Sequence, residues 1–196
     1  MKRVAVLVSG GGSNMQAIVD SSKNGILKGL AEVVLIVSNN PNAYALERAK
    51  KENIKTVCVE RKNYADEFSF NDEILKKLEA DNIDIVCLAG YMRIVGRNII
   101  NRYQKRILNI HPALLPKYGG KGMYGHHVHE AVVKAKEKKS GATVHFADEN
   151  YDTGKVVIQQ EVDVYETDTP QDVAKRVLET EHEIFPLAIK KIIEIF

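Results

Sequence analysis

The stretch VAVLVSGGGSN, residues 4–14, decides the fold of this chain. Its first six residues lack the polar alternation of a strand with one solvent-facing side, which predicts a strand covered on both faces. Three glycines follow, and residues 14–24 then have helical spacing. A buried strand, a glycine loop and a helix in this order predict the start of a βαβ unit in a parallel sheet.

The same alternation continues along the first two thirds of the chain. Apolar, β-branched runs predict further strands, covered like the first, at residues 33–38, 56–60 and 83–90. A fifth strand is predicted at residues 106–110, before His111-Pro112. Helical spacing is found between the early strands, at residues 44–53 and 64–82. Strands separated by helices at this distance imply right-handed crossovers and parallel pairing.

The last third of the chain has a different pattern. A loop at 112–125 precedes a predicted helix at 128–138 and strands at 142–147 and 156–164. The connection between these strands is too short for a parallel crossover, so we expect antiparallel pairing. A final helix, capped by Thr169 or Asp168, is expected to run to the C-terminus, with a kink or division at Pro186.

These patterns together predict one α/β domain over residues 1–196. It is expected to be Rossmann-like, with a mostly parallel twisted sheet flanked by helices and antiparallel strand pairing in the C-terminal third.

Composition narrows the class of protein. The chain has 28 basic and 26 acidic residues among 196, and 44% of it is hydrophobic, as in soluble globular proteins. No basic run suggests a nucleic-acid partner, and no apolar run is long enough for a membrane span, so a cytoplasmic location is expected. Cys58 and Cys87 lie in apolar runs without metal-ligand or disulfide spacing, and buried reduced thiols are predicted.

The glycine loop at residues 9–14 suits an anion, because its backbone N–H groups and the following helix N-terminus carry positive partial charge. A Walker A loop would need Lys and Ser or Thr after the last glycine, and a dinucleotide fingerprint would need glycine where Met15 stands. The second strand also ends in Ser38-Asn39-Asn40 rather than in an acid for a ribose. A small phosphorylated ligand remains possible, and a tight turn without a ligand is the alternative.

A second polar group of residues follows the predicted fifth strand. Asn109 and His111 are two residues apart and should face the same way, at the strand end where α/β sheets bind ligands. Their N–H donors suit a developing oxyanion. Asp152 could raise the pKa of His111 and move a proton, although spacing alone does not bring the two together. The alternatives are turn chemistry at Asp152 and structural roles for both other side chains.

Other residues give weaker indications of a functional role. His126, His127 and His129 invite a metal interpretation, but their spacing is wrong for a helical pair of ligands, and no metal is expected. Arg61 follows the third strand and suits either an anionic ligand tail or the surface. Met92 and Arg93 are expected to shape a pocket wall.

Five short motifs occur in one order: SGGGSN (9–14), LAGYMR (88–93), NIHPALLP (109–116), VHF (144–146) and DTG (152–154). Together they resemble the folate-dependent phosphoribosylglycinamide formyltransferase family of purine biosynthesis, over essentially the whole chain. The resemblance implies formyl transfer from 10-formyltetrahydrofolate, as co-substrate, to the primary amine of 5-phosphoribosylglycinamide. It also implies small-molecule partners only, no metal, and a monomer or homodimer.

The resemblance also implies roles for individual residues. Asn109, His111 and Asp152 match the catalytic trio. Gly12, Ser13 and Asn14 match the residues that hold the substrate phosphate, and Glu181 matches an acid near its glycinamide end. The folate would be bound by Arg61, Met92, Arg93, Ile94, Val95, Asn109, Asp148, Glu149, Asn150, Tyr151 and Asp152. Ala113, where Ser is frequent, and the segment 119–129 depart from the family pattern, which leaves the contacts of that loop open.

Three alternative functions stay open at this stage. A methionyl-tRNA formyltransferase shares the Asn-x-His core, but it is expected to need a further C-terminal domain and a more basic surface. A formyltetrahydrofolate hydrolase usually carries an additional N-terminal domain. A phosphometabolite-binding module would use the glycine loop alone and leave the polar trio unexplained.

Overall fold

A computed structural model describes residues 1–195 and contains a seven-stranded sheet in the order β3-β2-β1-β4-β5-β6-β7. The first five strands are parallel, and β6 and β7 are antiparallel to their neighbours. The strands are β1 Lys2–Val8, β2 Ala31–Ser38, β3 Lys55–Cys58, β4 Ile85–Leu88, β5 Ile107–His111, β6 Lys139–Phe146 and β7 Val156–Asp163. The α/β class and the change to antiparallel pairing are therefore as predicted.

In the part of the chain that the structure describes, six helices cover the two faces of the sheet. They are α1 Ser13–Asn24, α2 Tyr44–Lys51, α3 Glu67–Ala80, α4 Arg97–Arg102, α5 His126–Lys134 and α6 Pro170–Ile193, with a short 3₁₀ turn at Arg61–Asn63. Within residues 1–195, no helix combines the length and apolar character needed to cross a membrane.

Strand β1 shows why the sequence forms a three-layer structure. Val4, Val6 and Val8 face the core beneath α1 and α6, whereas Ala5 and Leu7 face the core beneath α3 and α4. All five are fully buried. Because successive side chains of a strand point to opposite faces, an unbroken apolar run can serve two cores at once.

The start of α1 depends on Gly12. Its φ of 74° lies in the left-handed region, and a Cβ atom there would be 2.6 Å from Cβ of Ala45 in α2. Arg48, one turn later in α2, donates from Nε to the carbonyl oxygen of Gly11 at 2.9 Å. Helix α2 thus packs against the glycine loop and holds it where β1 ends.

Several local predictions need correction. Strand β3 is an edge strand, so Cys58 is exposed rather than buried, whereas Cys87 in the central β4 is buried as predicted. The six-residue helix α4 was not predicted. Helix α5 begins two residues earlier than predicted and ends at Lys134, because β6 already begins at Lys139.

The final helix is capped as the sequence suggested, but it is not divided. Thr169 accepts a hydrogen bond from the backbone of Asp172, whose side chain accepts one from the backbone of Thr169. Pro186 lies inside the continuous helix α6, which ends at Ile193 rather than at the C-terminus. Phe196, part of the predicted helix and domain, lies outside the described residues.

Candidate active site

A cleft of about 740 Å³ opens at the carboxyl ends of the central strands. Strands β2 and β3 lie on one side of β1, and the chain then crosses to β4 on the other side. Open α/β sheets bind ligands at such a reversal of strand order. Ser9 joins the loops there: its hydroxyl donates to Asn39 at 2.6 Å and accepts from the backbone N–H of Met92 at 2.8 Å. The loops after β1, β2 and β4 therefore form one rim.

The structure brings Asn109, His111 and Asp152 together in this cleft. Nδ2 of Asn109 is 3.3 Å from Oδ1 of Asp152, and Nδ1 of His111 is 3.4 Å from Oδ2. The backbone N–H of Gly120 donates to Oδ2 at 3.0 Å. Asp152 has a φ of 56°, a left-handed conformation that Asp tolerates better than most residues. A turn between β6 and β7 thus presents its carboxylate to two side chains of β5.

Burial controls the charge of His111, which is 4% exposed. Burial lowers its pKa, while the carboxylate of Asp152 and the Tyr118 carbonyl, 2.7 Å from Nε2, raise it by less. Asp152 therefore raises this pKa, as expected, but burial outweighs it and the net shift is downward. A carbonyl oxygen only accepts, so Nε2 of His111 carries a proton and donates it to Tyr118. The lowered pKa favours the neutral imidazole at pH 7.

Asp152 responds in the opposite way to a similar environment. Burial acts to raise its pKa, but His145, His111 and the Gly120 N–H together outweigh burial and lower the pKa. Hydrogen bonds and positive partial charge favour the ionised form of a carboxyl. Asp152 is therefore a carboxylate at neutral pH.

The other end of the cleft contains Asn14 and Glu181. Nδ2 of Asn14 donates to Oε2 of Glu181 at 2.9 Å, joining the start of α1 to α6. Glu181 is 7% exposed, and burial raises its pKa to about 7, although the Asn14 hydrogen bond acts to lower it. Ser13 also lines this end, whereas Gly12 shapes the loop without lining the cleft.

Most of the residues expected at a folate are on the cleft wall. Those that line it are Met92, Arg93, Ile94, Val95, Asn109, Asp148, Asn150, Tyr151 and Asp152. Glu149 does not; its carboxylate pairs with Arg97. Arg61 does not line the cleft either: it donates to Glu67 at 2.8 Å and to the Tyr64 carbonyl at 2.7 Å. Glu67 also accepts from Arg93, so Arg61 is connected to the wall through one carboxylate.

The sequence reasoning assigned no role to two buried histidines of the cleft. His145 is 2% exposed and lies opposite Asn109 in the β5–β6 ladder, with Nε2 3.0 Å from Nδ2 of Asn109. The VHF motif points to His145 in the sequence, whereas the strand register that places it opposite Asn109 comes from the structure. His129 is 5% exposed, and burial, His126 and His111 lower its pKa to about 4.

The other two histidines of the tract lie beside a carboxylate of their own helix. His126 and His127 both lie beside Glu130, their neighbour on α5. Among residues 1–195, no cluster of three or more His, Cys, Asp or Glu side chains has an arrangement that could hold a metal ion.

Comparison with known proteins identifies the family of this chain. A family model described as formyl transferase matches residues 2–189. The chain belongs to the formyl transferase family. It is 38% identical over 190 residues to the phosphoribosylglycinamide formyltransferase of Haemophilus influenzae, covering 97% of this chain and 86% of that protein. The motif-based resemblance is thereby confirmed.

Solved structures give the same result. Glycinamide ribonucleotide transformylase 1 from Symbiobacterium toebii superposes with a TM-score of 0.92 at 36% identity, over 99% of this chain and 88% of that one. Longer relatives also match: the trifunctional purine biosynthetic protein adenosine-3 of Chironomus tentans is 40% identical over 189 residues. That alignment covers 96% of this chain but only 13% of the relative, so it concerns one part of a larger protein.

Proposed function

We propose that this protein transfers the formyl group of 10-formyltetrahydrofolate to the primary amine of 5-phosphoribosylglycinamide. The observation that carries the proposal is the meeting of Asn109, His111 and Asp152 within 3.4 Å in a cleft that also contains Glu181. The relatives named for this reaction match nearly the whole chain. An RNA substrate is not favoured, because the formal net charge is only +2.

The glycinamide substrate would span the end of the cleft formed by α1 and α6. Its phosphate would bind the glycine loop, where backbone N–H groups of Gly12, Ser13 and Asn14 begin a helix. Its ammonium group would approach Glu181, whose buried carboxyl gains a compensating charge when a cation binds. The two ends of the substrate thus meet groups of opposite sign.

The folate would occupy the opposite wall. The segments 92–95 and 148–152 supply both apolar surface and polar edges, which suits a flat heteroaromatic ring with hydrogen-bonding groups. Arg93 and Arg61, held by the single carboxylate of Glu67, would attract the anionic tail of the folate. Arg61 would act there from outside the cleft lining.

The chemical step forms one C–N bond and breaks another. The neutral form of the substrate amine attacks the formyl carbon. The tetrahedral oxyanion accepts hydrogen bonds from Asn109 and from Nε2–H of His111, replacing the Tyr118 carbonyl as acceptor of the latter. Asp152 accepts the amine proton, directly or through one water, and passes it to N10 of the folate. N10 then leaves, giving tetrahydrofolate and N-formyl product. Holding both substrates in one cleft supplies further acceleration.

The direct test is turnover by the purified protein with both substrates, followed by the absorbance of the released folate. Omission of the glycinamide substrate tests for a hydrolase, and its replacement by methionyl-tRNA tests for the RNA-directed reaction. No product at saturating concentrations of both substrates would refute the proposal. We also propose a cytoplasmic location, since both cysteines are free thiols.

Two substitutions test the trio itself. We expect Asn109→Ala, which removes an oxyanion donor, and Asp152→Asn, which removes the proton carrier, each to lower kcat by at least about 100-fold. Asn tolerates the left-handed backbone of position 152, so the second variant should keep the turn. If urea unfolding shows that both variants lose enough stability to account for their loss of activity, the trio has a structural role instead.

A further inference from the structure

The buried imidazole of His145 is not used in the mechanism above, although it contacts two of its three residues. Nε2 of His145 is 3.0 Å from Nδ2 of Asn109 and 3.4 Å from Oδ1 of Asp152. Its side chain is 2% exposed and lines the cleft. Burial of a polar side chain is costly unless its polar atoms have partners, so the partners of the two ring nitrogens indicate what His145 does.

The other ring nitrogen of His145 determines the tautomer. Nδ1 is 2.9 Å from the carbonyl oxygen of Phe146, which can only accept a hydrogen bond. The hydrogen of a neutral imidazole is therefore on Nδ1, and Nε2 carries a lone pair. Asn109 must then donate one amide N–H to Nε2, and this bond fixes which way its amide group faces.

The second N–H of Asn109 can change its hydrogen-bond acceptor from Asp152 to a substrate atom. His145 Nε2 and Asp152 Oδ1 are close to each other, so both lie on one side of the amide nitrogen. The two N–H bonds of an amide diverge and cannot both point straight at these acceptors. The contact with His145 is the shorter one, at 3.0 Å against 3.3 Å for Asp152. A formyl oxygen can therefore replace Asp152 without disturbing the bond to His145.

We propose that His145 is the positioning residue of Asn109: by accepting one amide N–H, it holds the other toward the formyl oxygen in the transition state. This inference rests on the proposed formyl transfer, in which Asn109 is an oxyanion donor. His145 itself touches no reacting atom. Its position follows from strand register, since it is paired directly with Asn109 across β5 and β6.

Two substitutions separate the roles of the two imidazole nitrogens of His145. His145→Gln places an amide oxygen near the site of Nε2 and keeps an acceptor for Asn109. His145→Asn keeps a donor near the site of Nδ1, for Phe146, but removes that acceptor. We expect His145→Asn to lower kcat about 100-fold, like loss of an oxyanion-hole donor, with both KM values changed less than about threefold. His145→Gln should stay within about tenfold of wild type.

A double-mutant cycle shows whether the effect passes through Asn109. In an Asn109→Ala background, His145→Asn should cause almost no further loss of kcat, because the amide it positions is gone. Equal kcat for the Gln and Asn variants, or multiplicative losses in the cycle, would overturn the inference. Urea unfolding of each variant shows whether any loss of kcat follows loss of stability.

A further test uses the wild-type protein alone and does not depend on its activity. The ¹⁵N chemical shifts of the imidazoles report the tautomer, and we expect the Nδ1–H form for His145. The Nε2–H form would overturn the inference even if formyl transfer were observed. Conversely, absence of turnover in the wild type together with the Nδ1–H form would refute the proposed reaction and leave the Asn109–His145 bond in place.

Discussion

The carboxyl group of Glu181 makes the free energy of unfolding depend on pH in an unusual direction. It is buried on α6 and has one hydrogen-bond donor, Asn14, at 2.9 Å. Burial raises its pKa from the ordinary 4.5 to about 7, so the folded protein binds this proton more tightly than the unfolded chain does. Stability from this group is therefore fully present below pH 4.5 and is lost as the pH rises through about 7.

The size of the effect follows from the two pKa values. At about 1.4 kcal/mol for each tenfold change in proton affinity, the difference between 4.5 and 7 corresponds to about 3 kcal/mol. Glu181→Gln keeps an oxygen acceptor for Asn14 and cannot ionise. We therefore expect this variant to be about 3 kcal/mol more stable than wild type at pH 8.5, but within about 1 kcal/mol of it at pH 5.

The assay is urea unfolding followed by far-UV circular dichroism at pH 5, 6.5 and 8.5. Glu183→Gln is the matched control, because it removes the same charge from an exposed position of the same helix. Its stability relative to wild type should vary little over this range. A stability difference between Glu181→Gln and wild type that is the same at pH 5 and pH 8.5 would refute the reasoning.

Further expectations concern the glycine loop, the thiols and the substrate amine. Gly12→Ala should destabilise the protein by about 1–3 kcal/mol, because of its positive φ and the contact with Ala45, while Gly10→Ala, which meets nothing within 4 Å, should cost less than about 0.5 kcal/mol in the same denaturant assay. Ellman's reagent should titrate one thiol in the native protein, and Cys58→Ser should remove it; a second fast thiol would contradict the burial of Cys87. The KM for the amine substrate should fall as the pH rises through about 7 and Glu181 ionises; a flat profile there would argue against its contact with the ammonium group.

The order of elements could be predicted from the sequence because buried parallel strands differ clearly from amphipathic helices. What an apolar run does not encode is its place in the sheet. Residues 56–60 contain an apolar core, Val57 to Val59, that resembles a central strand, yet β3 is at the edge, and Cys58 is exposed there. Helix α4 has only six residues, too few to show periodicity.

The site could be predicted only in part, for a related reason. Asn109 and His111 share a face because side chains alternate along one strand, and this needs no tertiary information. Asp152 reaches them through a turn that follows β6, so its role came from resemblance rather than from spacing. His145 requires the register of β5 against β6, which is set by the packing of the whole sheet.

One cleft shifts the pKa values of three titratable groups in different directions, and for the two carboxyls the number of N–H donors decides whether burial prevails. His111 has lost water and is driven toward its neutral form, although a carboxylate lies beside it. Asp152 has lost water too, but it accepts hydrogen bonds from Gly120 and Asn109, and its pKa is lowered. Glu181 has a single donor, and burial prevails. Near neutral pH, Glu181 therefore changes charge more readily than Asp152. It is suited to meet the cationic form of the substrate, while Asp152, a weak base, passes a proton on rather than storing it.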